Sequence, residues 1–286
     1  MRLLRRIRSA SAAAAVGVVL LAPAASAAGA TLSYTGSIQM AQGTYYFDQT
    51  VRGLFFVNGF YLNTGAFNLS ASVPVVYQNS PYVSYSGIGV LPTGGSQSPV
   101  VGSLPGRRPG SNPIVLPEPE TVDYNRFGLA DPFFRMGFRL WKESRFAPSV
   151  EISAHAKVPV ATFESGFGTG QWDYGAGVSL SKRLGGVFLL ADIGYWVLGD
   201  LPELELNDPW SYIASLGIPL SGGKAALTFS YSGFTKIISG VEPPSSLGLG
   251  ISFRVGRRSS LLVNGSLGLS ESSADFSASL GWSIGL

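Results

Sequence analysis

The chain has 286 residues, of which 45% are hydrophobic and only 13% are charged, and it contains no cysteine. Disulfide bridges, thiolate metal sites and cysteine nucleophiles are therefore excluded. The formal net charge of +3 depends on four arginines near the N-terminus, because residues 28–286 carry 16 basic and 17 acidic residues. Charge therefore gives no indication of a nucleic-acid-binding surface.

The N-terminal residues have the pattern of a secretory signal peptide. Four arginines (Arg2, Arg5, Arg6 and Arg8) precede an apolar stretch at 12–22, and Ala25-Ser26-Ala27 forms an A-x-A cleavage site. A single membrane anchor is the alternative, but the stretch is short for a spanning helix. We predict a signal peptide over residues 1–27 and one domain over residues 28–286.

Beyond this point, apolar and polar residues alternate with the period of a β-strand, and no segment has the ~18 consecutive apolar residues of a membrane-spanning helix. The second strand is apolar on both faces, so its register stays open, and Pro74 predicts a bulge or a strand end. The twelve predicted strands cover approximately residues 32–40 (or 32–47), 51–62, 67–75, 134–140, 150–158, 172–180, 187–197, 212–218, 227–231, 247–255, 261–269 and 275–286.

Residues 79–127 interrupt this rhythm with eight prolines and several glycines. A segment of this composition cannot be a continuous strand, and long irregular loops are usually functional or disordered. We expect it either to fold into the interior of a barrel or to project outside.

Strands four and five carry the most concentrated charge on the inward face. We predict that Arg135, Arg139, Glu151, His155 and Lys157 face the lumen, with Arg139 near Glu151 across the ladder. These residues form either a salt-bridged network that fills a narrow barrel or a selectivity ring for a permeating group. A twelve-stranded lumen lies between a filled barrel and an open pore, so partial plugging is also expected.

Ser153 and His155 share this inward face with Glu151 and suggest a nucleophile–base pair. Same-face residues on one strand lie about 6.6–7 Å apart at Cα, with parallel side chains, which we expect to be a poor geometry for proton transfer. The prediction is therefore no enzyme and no catalytic residue. No metal-ligand spacing is present, so no metal or cofactor is expected. Residues 166–170, rich in glycine, are predicted to be a flexible outer loop.

The connections alternate in length: short after even-numbered strands and longer after most odd-numbered strands. Outer-membrane barrels show this pattern, with short periplasmic turns and longer extracellular loops. Lys182-Arg183 and Arg257-Arg258 fall at predicted periplasmic turns, where they meet solvent or lipid headgroups. Two aromatic girdles are predicted, one of Trp172, Tyr174, Tyr195, Tyr212 and Tyr231, the other including Trp282.

The last predicted strand, residues 275–286, alternates without a break and ends on an apolar side chain. It resembles the C-terminal signal strand of bacterial outer-membrane barrels, with Trp282 and Leu286 as the assembly signal, although Leu286 stands where an aromatic residue is usual. The expected partners are outer-membrane lipids and lipopolysaccharide, the barrel-assembly machinery and a small-molecule solute, with no nucleic acid.

Residues 157–182 carry a family resemblance. They are similar to a motif of outer-membrane transporters associated with the meta-cleavage pathway of phenol degradation, although the usual Thr-Gly-Asp after the proline is replaced by Val160-Ala161-Thr162. The matching residues are Lys157, Pro159, Gly168, Gly170, Asp173, Tyr174, Gly175, Leu180, Ser181 and Lys182.

The resemblance implies a channel that admits small, often hydrophobic, molecules. The overall prediction is an all-β, transmembrane, antiparallel up-and-down β-barrel of about twelve strands in a Gram-negative outer membrane. A structural or adhesive barrel without transport is the alternative, and an outer-membrane lipid hydrolase is a remote one.

Overall fold

The computed structural model describes residues 30–46, 50–80, 83–93, 125–162, 165–201 and 204–286. The predicted signal peptide lies outside these ranges. No helix within them is long and apolar enough to cross a membrane. The strands are β1 Thr31–Gly43, β2 Val51–Asn63, β3 Phe67–Gln78, β4 Ser84–Ser86, β5 Gly89–Leu91, β6 Arg126–Leu129, β7 Phe133–Trp141, β8 Ser149–Lys157, β9 Asp173–Leu184, β10 Val187–Val197, β11 Trp210–Leu220, β12 Ala225–Phe234, β13 Ser245–Arg254, β14 Ser259–Gly268 and β15 Phe276–Gly285.

Twelve of these strands, β1–β3 and β7–β15, form a closed antiparallel barrel in which neighbours in sequence are neighbours in the wall. Closure is made by β15, which pairs with β1 from Ser33↔Gly285 to Gln42↔Phe276. The backbone N–H of Leu286 continues the ladder by donating to the carbonyl oxygen of Leu32 at 2.8 Å. Because closure leaves no unpaired sheet edge, this architecture is suited to lipid. The predicted fold class is confirmed.

The apolar face of each strand points outward. In β7, Phe138 is 48% exposed on the outside, whereas its neighbours Gly137 and Arg139 face inward. β2 is apolar on both faces because its inner side chains are covered. Phe55 packs against Tyr85, and Val51 against Val83, both from the segment that follows β3.

The connections at one end of the barrel are short. Each connection at the other end is at least as long as the longest of these. The end that carries both strand termini, Thr31 and Gly285, has the turns 64–66, 142–148, 185–186, 221–224 and 255–258. The opposite end has the connections 44–50, 79–125, 158–172, 198–209, 235–244 and 269–275. This asymmetry matches the prediction and orients the short-turn end toward the periplasm.

Pro74 neither ends β3 nor forms a bulge against β2, so that prediction is wrong. β3 runs to Gln78, with Pro74 paired in register with Val57. The irregularity lies in the neighbouring strand, where β7 pairs with β3 up to Ser72 and β6 resumes the pairing at Val75. Proline has no N–H to donate, and between β6 and β7 the N–H of Ala130 donates to the carbonyl oxygen of Pro74 at 2.9 Å.

A short hairpin, β4–β5, lies inside the extracellular half of the barrel. Leu91 is buried with Trp196 of β10 and Ile238, and Tyr85 packs on Phe55 of β2 on the other side of the lumen. The first part of the proline-rich segment therefore folds inward. Residues 94–124, which make up most of the predicted loop, lie outside the described residues.

Tyr45, just after β1, contributes to the packing around this hairpin. Tyr45 is only 2% exposed and packs with Val51 and Val83. Burial, with the nearby Asp275 carboxylate, raises the pKa of the Tyr45 hydroxyl above its usual range, so this hydroxyl stays neutral. Side chains of the hairpin and of the connections thus fill part of the extracellular end of the barrel.

Candidate functional site

A closed polar trio spans three neighbouring strands of the lumen wall. The Arg135 guanidinium lies 2.8 Å from Glu151 Oε1 and donates to Asn68 Oδ1 at 3.0 Å, and Asn68 Nδ2 donates to Glu151 Oε2 at 3.0 Å. Gly137 makes room for it, since a Cβ there would lie 2.6 Å from both Asn68 and Glu151. The trio satisfies all of its charges internally and so stiffens this part of the wall.

Arg139 is the Cα partner of Glu151 in the ladder, as the sequence predicted, but it does not form the ion pair. Both carboxylate oxygens of Glu151 are already engaged by Arg135 and Asn68. Within the described part of the chain, no ion pair involves Arg139. Its half-buried guanidinium therefore faces the lumen with hydrogen-bonding capacity to spare.

His155 belongs to an aromatic wall that we define as Phe133, His155 and Trp196. The ring of His155 lies 5.2 Å from that of Trp196 and 5.9 Å from that of Phe133. Gly175 sits between His155 and Trp196 in the ladder, and a Cβ there would lie 2.9 Å from the indole. The missing side chain lets Trp196 lie over the strand and reach His155.

Our expectation about Ser153 and His155 is wrong: Ser153 Oγ and His155 Nε2 lie 3.0 Å apart and share a hydrogen bond. The histidine ring turns along the strand, which closes the separation of the two Cα atoms. No acid orients the ring, because His155 Nδ1 has no partner and the Glu151 carboxylate is held by the polar trio. The arrangement is a dyad without the third member of a catalytic triad.

Lys157 lies in a buried ion cluster that we define as Asp131, Lys157 and Asp173, with 0–1% exposure each. Its ammonium is 2.8 Å from Asp131 Oδ2 and 3.5 Å from Asp173 Oδ2, and it also donates to Thr169 Oγ1 and to the carbonyl oxygen of Gln171. The sequence placed Lys157 among the lumen candidates, but its side chain has no surface in contact with the lumen.

The two aspartates of this cluster hold the extracellular segments together. Asp131 Oδ1 accepts the backbone N–H groups of Val160 and Ala161, each at 2.8 Å. Asp173 accepts the N–H of Gly87, from the turn of the β4–β5 hairpin, at 2.9 Å and the N–H of Gly199 at 3.1 Å. The cluster therefore ties the hairpin inside the lumen to the barrel wall.

Two cavities remain in the lumen, one toward each end of the barrel. The upper cavity, of about 550 Å³, lies between the β4–β5 hairpin and the inner faces of β12–β15 and β1, where serines predominate. The lower cavity, of about 630 Å³, lies at the periplasmic end across β9–β14. Side chains thus do not fill the barrel. Within the described ranges, no group of three or more His, Asp and Glu residues is arranged to hold a metal ion.

The pattern of a protein family described as "Putative MetA-pathway of phenol degradation" matches residues 74–285, well over half of the chain. The protein belongs to this family. The resemblance inferred from residues 157–182 is thereby confirmed. Among curated proteins, no sequence matches the chain.

The fold is similar to that of a solved outer-membrane channel. An outer-membrane channel from Pseudomonas putida F1 aligns with a TM-score of 0.60 at 10% identity, covering 90% of this chain and 96% of that one. The CymD monoaromatic hydrocarbon channel aligns with a TM-score of 0.48 at 11% identity, covering 90% and 88%. The fold places this member of the phenol-degradation family in the outer membrane, with its outer face in lipid.

The family motif builds the buried ion cluster and the segment around it. A Cβ at Gly168 would lie 2.6 Å from Asp131 Oδ2, and Gly170 adopts a φ of +69°. Residues 166–170 are therefore packed, with Phe167 6% exposed and Thr169 1% exposed, so the prediction of a flexible loop is wrong. The sequence could not reveal this packing, because Asp131 and Gly128 approach the segment only after the barrel closes.

The predicted girdle residues, other than Trp282, lie on the outer face near the extracellular end and form aromatic pairs. Trp210 completes this set, and it was absent from the predicted girdle because β11 begins earlier than the alternation pattern indicates. The pairs are Trp172 with Tyr174 at 5.7 Å, Tyr195 with Trp210 at 5.1 Å and Tyr212 with Tyr231 at 6.0 Å. Near the other end, Trp282 lies flat over Gly36, where a Cβ would be 2.4 Å from the indole.

Proposed function

We propose that the protein is a passive outer-membrane channel for small organic solutes, including hydrophobic and aromatic ones. The observation that carries this proposal is the pair of lumen cavities, about 550 Å³ toward the extracellular end and about 630 Å³ at the periplasmic end. A barrel with a purely structural role has no need of unfilled interior volume. The fold likeness to the Pseudomonas putida channel supports the same function.

The aromatic wall supports the choice of solute. Its three rings lie within 5.2–6.1 Å of one another on the inner face. Offset or edge-on contacts with aromatic rings stabilise another ring by about 0.5–1.5 kcal/mol beyond its burial. Phe133 and His155 are only partly buried, so a flat apolar solute that reaches them gains this contact.

The predicted lumen residues take different parts in this proposal. Arg139, Phe133 and His155 contact the solute, because each is only partly buried. Trp196 is 8% exposed and packs against Leu91 of the hairpin, so it supports the other two rings. Arg135 and Glu151 fix the shape of the lumen wall. Lys157 does not contact the solute; it affects the solute pathway because its ion cluster holds the β4–β5 hairpin in place.

Swelling of proteoliposomes tests the proposal. Neutral sugars and small aromatic alcohols of graded size should enter vesicles that contain the protein, with rates that fall as solute size increases. A matched preparation with heat-unfolded protein controls for leakage. Absence of flux for every solute, from correctly folded protein, would contradict the channel function.

A plugged structural barrel is the second candidate, and the packed β4–β5 hairpin is the observation that favours it. The two candidates differ when the hairpin is removed. If the native protein is a channel, it conducts already, and replacing residues 83–93 by a Gly-Ser linker should change its permeability. If only the shortened variant conducts, the native protein is a plugged barrel.

We further propose that the protein has no catalytic activity. The Ser153–His155 dyad lacks an acid partner on Nδ1, and Glu151 is committed to Arg135 and Asn68. Ser153→Ala should leave solute flux unchanged. We expect no lipid hydrolysis by the wild type or by this variant. Measurable hydrolysis that is lost in this variant would overturn the statement.

Two partners follow from the position of the protein in the membrane. Lipopolysaccharide would surround the extracellular girdle, and the barrel-assembly machinery would recognise β15 through Trp282 and Leu286. Removal of Leu286 is expected to slow assembly in cells while leaving refolding of the purified protein in detergent unchanged, which Western blotting of outer-membrane fractions would measure.

A further inference from the structure

The lower cavity has a cationic rim that lies apart from the polar trio and the aromatic wall. It opens at the periplasmic end, and its lining contains Arg183, Lys224 and Arg254 but no acidic residue. Its floor is formed by Phe188, Pro219 and Ala226. The rim and the floor together place several cations beside an apolar surface.

The alternation of side chains along each strand places Arg183 and Arg254 on the inner face of the barrel wall. Each is directly adjacent in sequence to an exposed apolar residue on the outer face, Leu184 beside Arg183 and Phe253 beside Arg254. We expected Arg183 to lie in a turn and to meet solvent or lipid headgroups; the turn position is wrong, because β9 extends to Leu184 and the exposed Arg183 points into the lumen. The rim is a feature of the pathway and not of the lipid-facing surface.

The positive charge of the rim is not neutralised. Among the described residues, no ion pair involves Arg183, Lys224 or Arg254. Glu143 accepts the backbone N–H of Arg183 at 2.7 Å, but its carboxylate lies 3.6 Å from the Lys182 ammonium. Glu143 is therefore engaged with Lys182 on the other face of the strand.

One acidic side chain, Asp192, lies deeper on this part of the inner face, where it accepts a hydrogen bond from the hydroxyl of Ser179. In the same row of the ladder, beyond Ser179 and Glu151, the guanidinium of Arg139 has no ion pair within the described part of the chain. The cations therefore outnumber Asp192. The lower half of the lumen thus carries an excess of cations, which attracts anions into a cavity with low-dielectric walls.

Arg183 and Phe188 form a mixed cationic and aromatic surface. They are Cα partners across the β9–β10 ladder, and the guanidinium carbon lies 4.5 Å from the centre of the Phe188 ring. This stacking fixes the plane of the guanidinium while leaving its N–H edges free to donate to a carboxylate in a bidentate manner. Phe188 itself is 39% exposed, so part of its ring is available for contact with another apolar group.

We propose that the lower cavity is a binding site for small organic anions that carry an aromatic ring, such as aromatic monocarboxylates. The carboxylate meets the rim of Arg183, Lys224 and Arg254, and the ring rests on the floor beside Phe188. This inference rests on the proposed channel function and deepens it, because it names the class of solute that the periplasmic end favours.

A lipid phosphate has the same charge as a carboxylate and is the alternative source of an anion at this site. The two differ in how they reach the rim. A soluble anion enters through the lumen, whereas a headgroup has to pass over the turns 185–186 and 221–224 from the inner leaflet. Vesicles of phosphatidylcholine alone and vesicles containing phosphatidylglycerol separate these sources.

The experiment compares benzoate with benzamide, which has similar size and shape but no charge. Flux into phosphatidylcholine proteoliposomes is measured for the wild type, for Arg183→Gln/Arg254→Gln and for Arg257→Gln, an exposed arginine outside the cavity lining. Calorimetric titration of benzoate into the detergent-solubilised protein measures binding independently of flux.

We expect benzoate to enter faster than benzamide in the wild type and in Arg257→Gln. The double variant should lower the preference for benzoate by about 1.5-fold to fivefold for each cation removed, leaving benzamide unchanged. The preference should also weaken between 0.1 M and 1 M salt, since the Debye length falls from about 10 Å to about 3 Å.

Each contrary result has a distinct meaning. If benzamide enters and the wild type does not prefer benzoate, the anion site is overturned and the channel function stands. The same holds if the wild type prefers benzoate and the double variant keeps that preference. If neither solute enters, the channel function fails, and the site stands only if calorimetry detects benzoate binding that the double variant loses. If phosphatidylglycerol removes the benzoate preference, the occupant is a lipid headgroup and the proposal is overturned.

Discussion

Lys157 and Arg139 are both basic, and both stand at inward positions of the β7–β8 hairpin, yet their environments are opposite. Lys157 has 0% exposure and four oxygen partners within 3.5 Å, whereas Arg139 is half-buried without an ion pair among the described residues. A buried charge is tolerated only when it is paired and hydrogen-bonded. The same alternation pattern therefore yields a structural ammonium at one position and a lumen-facing guanidinium at the other.

Lys157→Met is expected to destabilise the barrel because it leaves two buried carboxylates without their cation. Breaking a buried ion pair by removing one partner lowers the free energy of unfolding by about 3–5 kcal/mol. Urea unfolding in detergent, followed by tryptophan fluorescence, would measure the change. Lys236→Met, at an exposed position of the same barrel end, serves as the control and should change stability little. Equal effects of the two substitutions would contradict the role of the cluster.

Gly175→Ala is expected to displace Trp196 from the aromatic wall, since the added Cβ would lie 2.9 Å from the indole. Overpacking of this kind lowers stability by about 1–3 kcal/mol. The loss of stability and a shift of tryptophan emission would report the displacement. Gly186→Ala is the matched control, because a Cβ there meets no atom within 4 Å. An unchanged emission spectrum in Gly175→Ala would show that Trp196 does not depend on this glycine.

At the scale of elements, the β4–β5 hairpin is the part of the structure that narrows the lumen. It is connected to the wall by apolar contacts of Leu91 and Tyr85 and by one hydrogen bond from the Gly87 N–H to Asp173. The hairpin has only three residues in each strand, and an isolated hairpin is marginal in water. Its position therefore depends on these contacts with the barrel.

A disulfide between Gly87→Cys and Asp173→Cys tests whether the hairpin controls the pore. A Cβ at Gly87 would lie 3.3 Å from the Asp173 Cβ, close to the separation that a disulfide requires, and the chain has no other cysteine. We expect a larger conductance after reduction than in the oxidised form of the same variant, in planar bilayers. Asp173→Cys alone controls for the loss of this carboxylate from the ion cluster and for effects of the reductant. If the disulfide forms and reduction leaves conductance unchanged, the hairpin does not limit the pathway.

At the scale of the whole molecule, the barrel could be predicted from sequence because its information is local. Each strand shows its own alternation, and the turn lengths fix antiparallel neighbours, so β7, β8 and β15 were placed with nearly correct limits. The packing of the extracellular end could not be predicted in the same way. Asp131 and Asp173 meet Lys157, and Gly87 meets Asp173, only after closure, so no local pattern of the sequence predicts these contacts.

The orientation of Arg183 has the same explanation. Its position near the end of β9 depends on how far the strand extends before the turn at 185–186, and strand limits are the least certain part of any prediction from pattern. A difference of two residues in the length of β9 decides whether this arginine lies in a turn or faces the lumen. The cationic rim is therefore visible in the structure and was hidden in the sequence.

The two faces of the barrel wall should respond differently to an added charge. Leu249, near the middle of β13, is 51% exposed on the outer face, and Thr228, near the middle of the adjacent β12, lies on the inner face. Leu249→Arg should lower the free energy of unfolding in liposomes by about 2–4 kcal/mol, as expected for an arginine at the bilayer midplane. Thr228→Arg should change it less, because its charge enters an aqueous lumen. The shift in the urea midpoint, read from the heat-modifiable mobility on gels, would measure both, and similar losses would mean that the inner face is not hydrated.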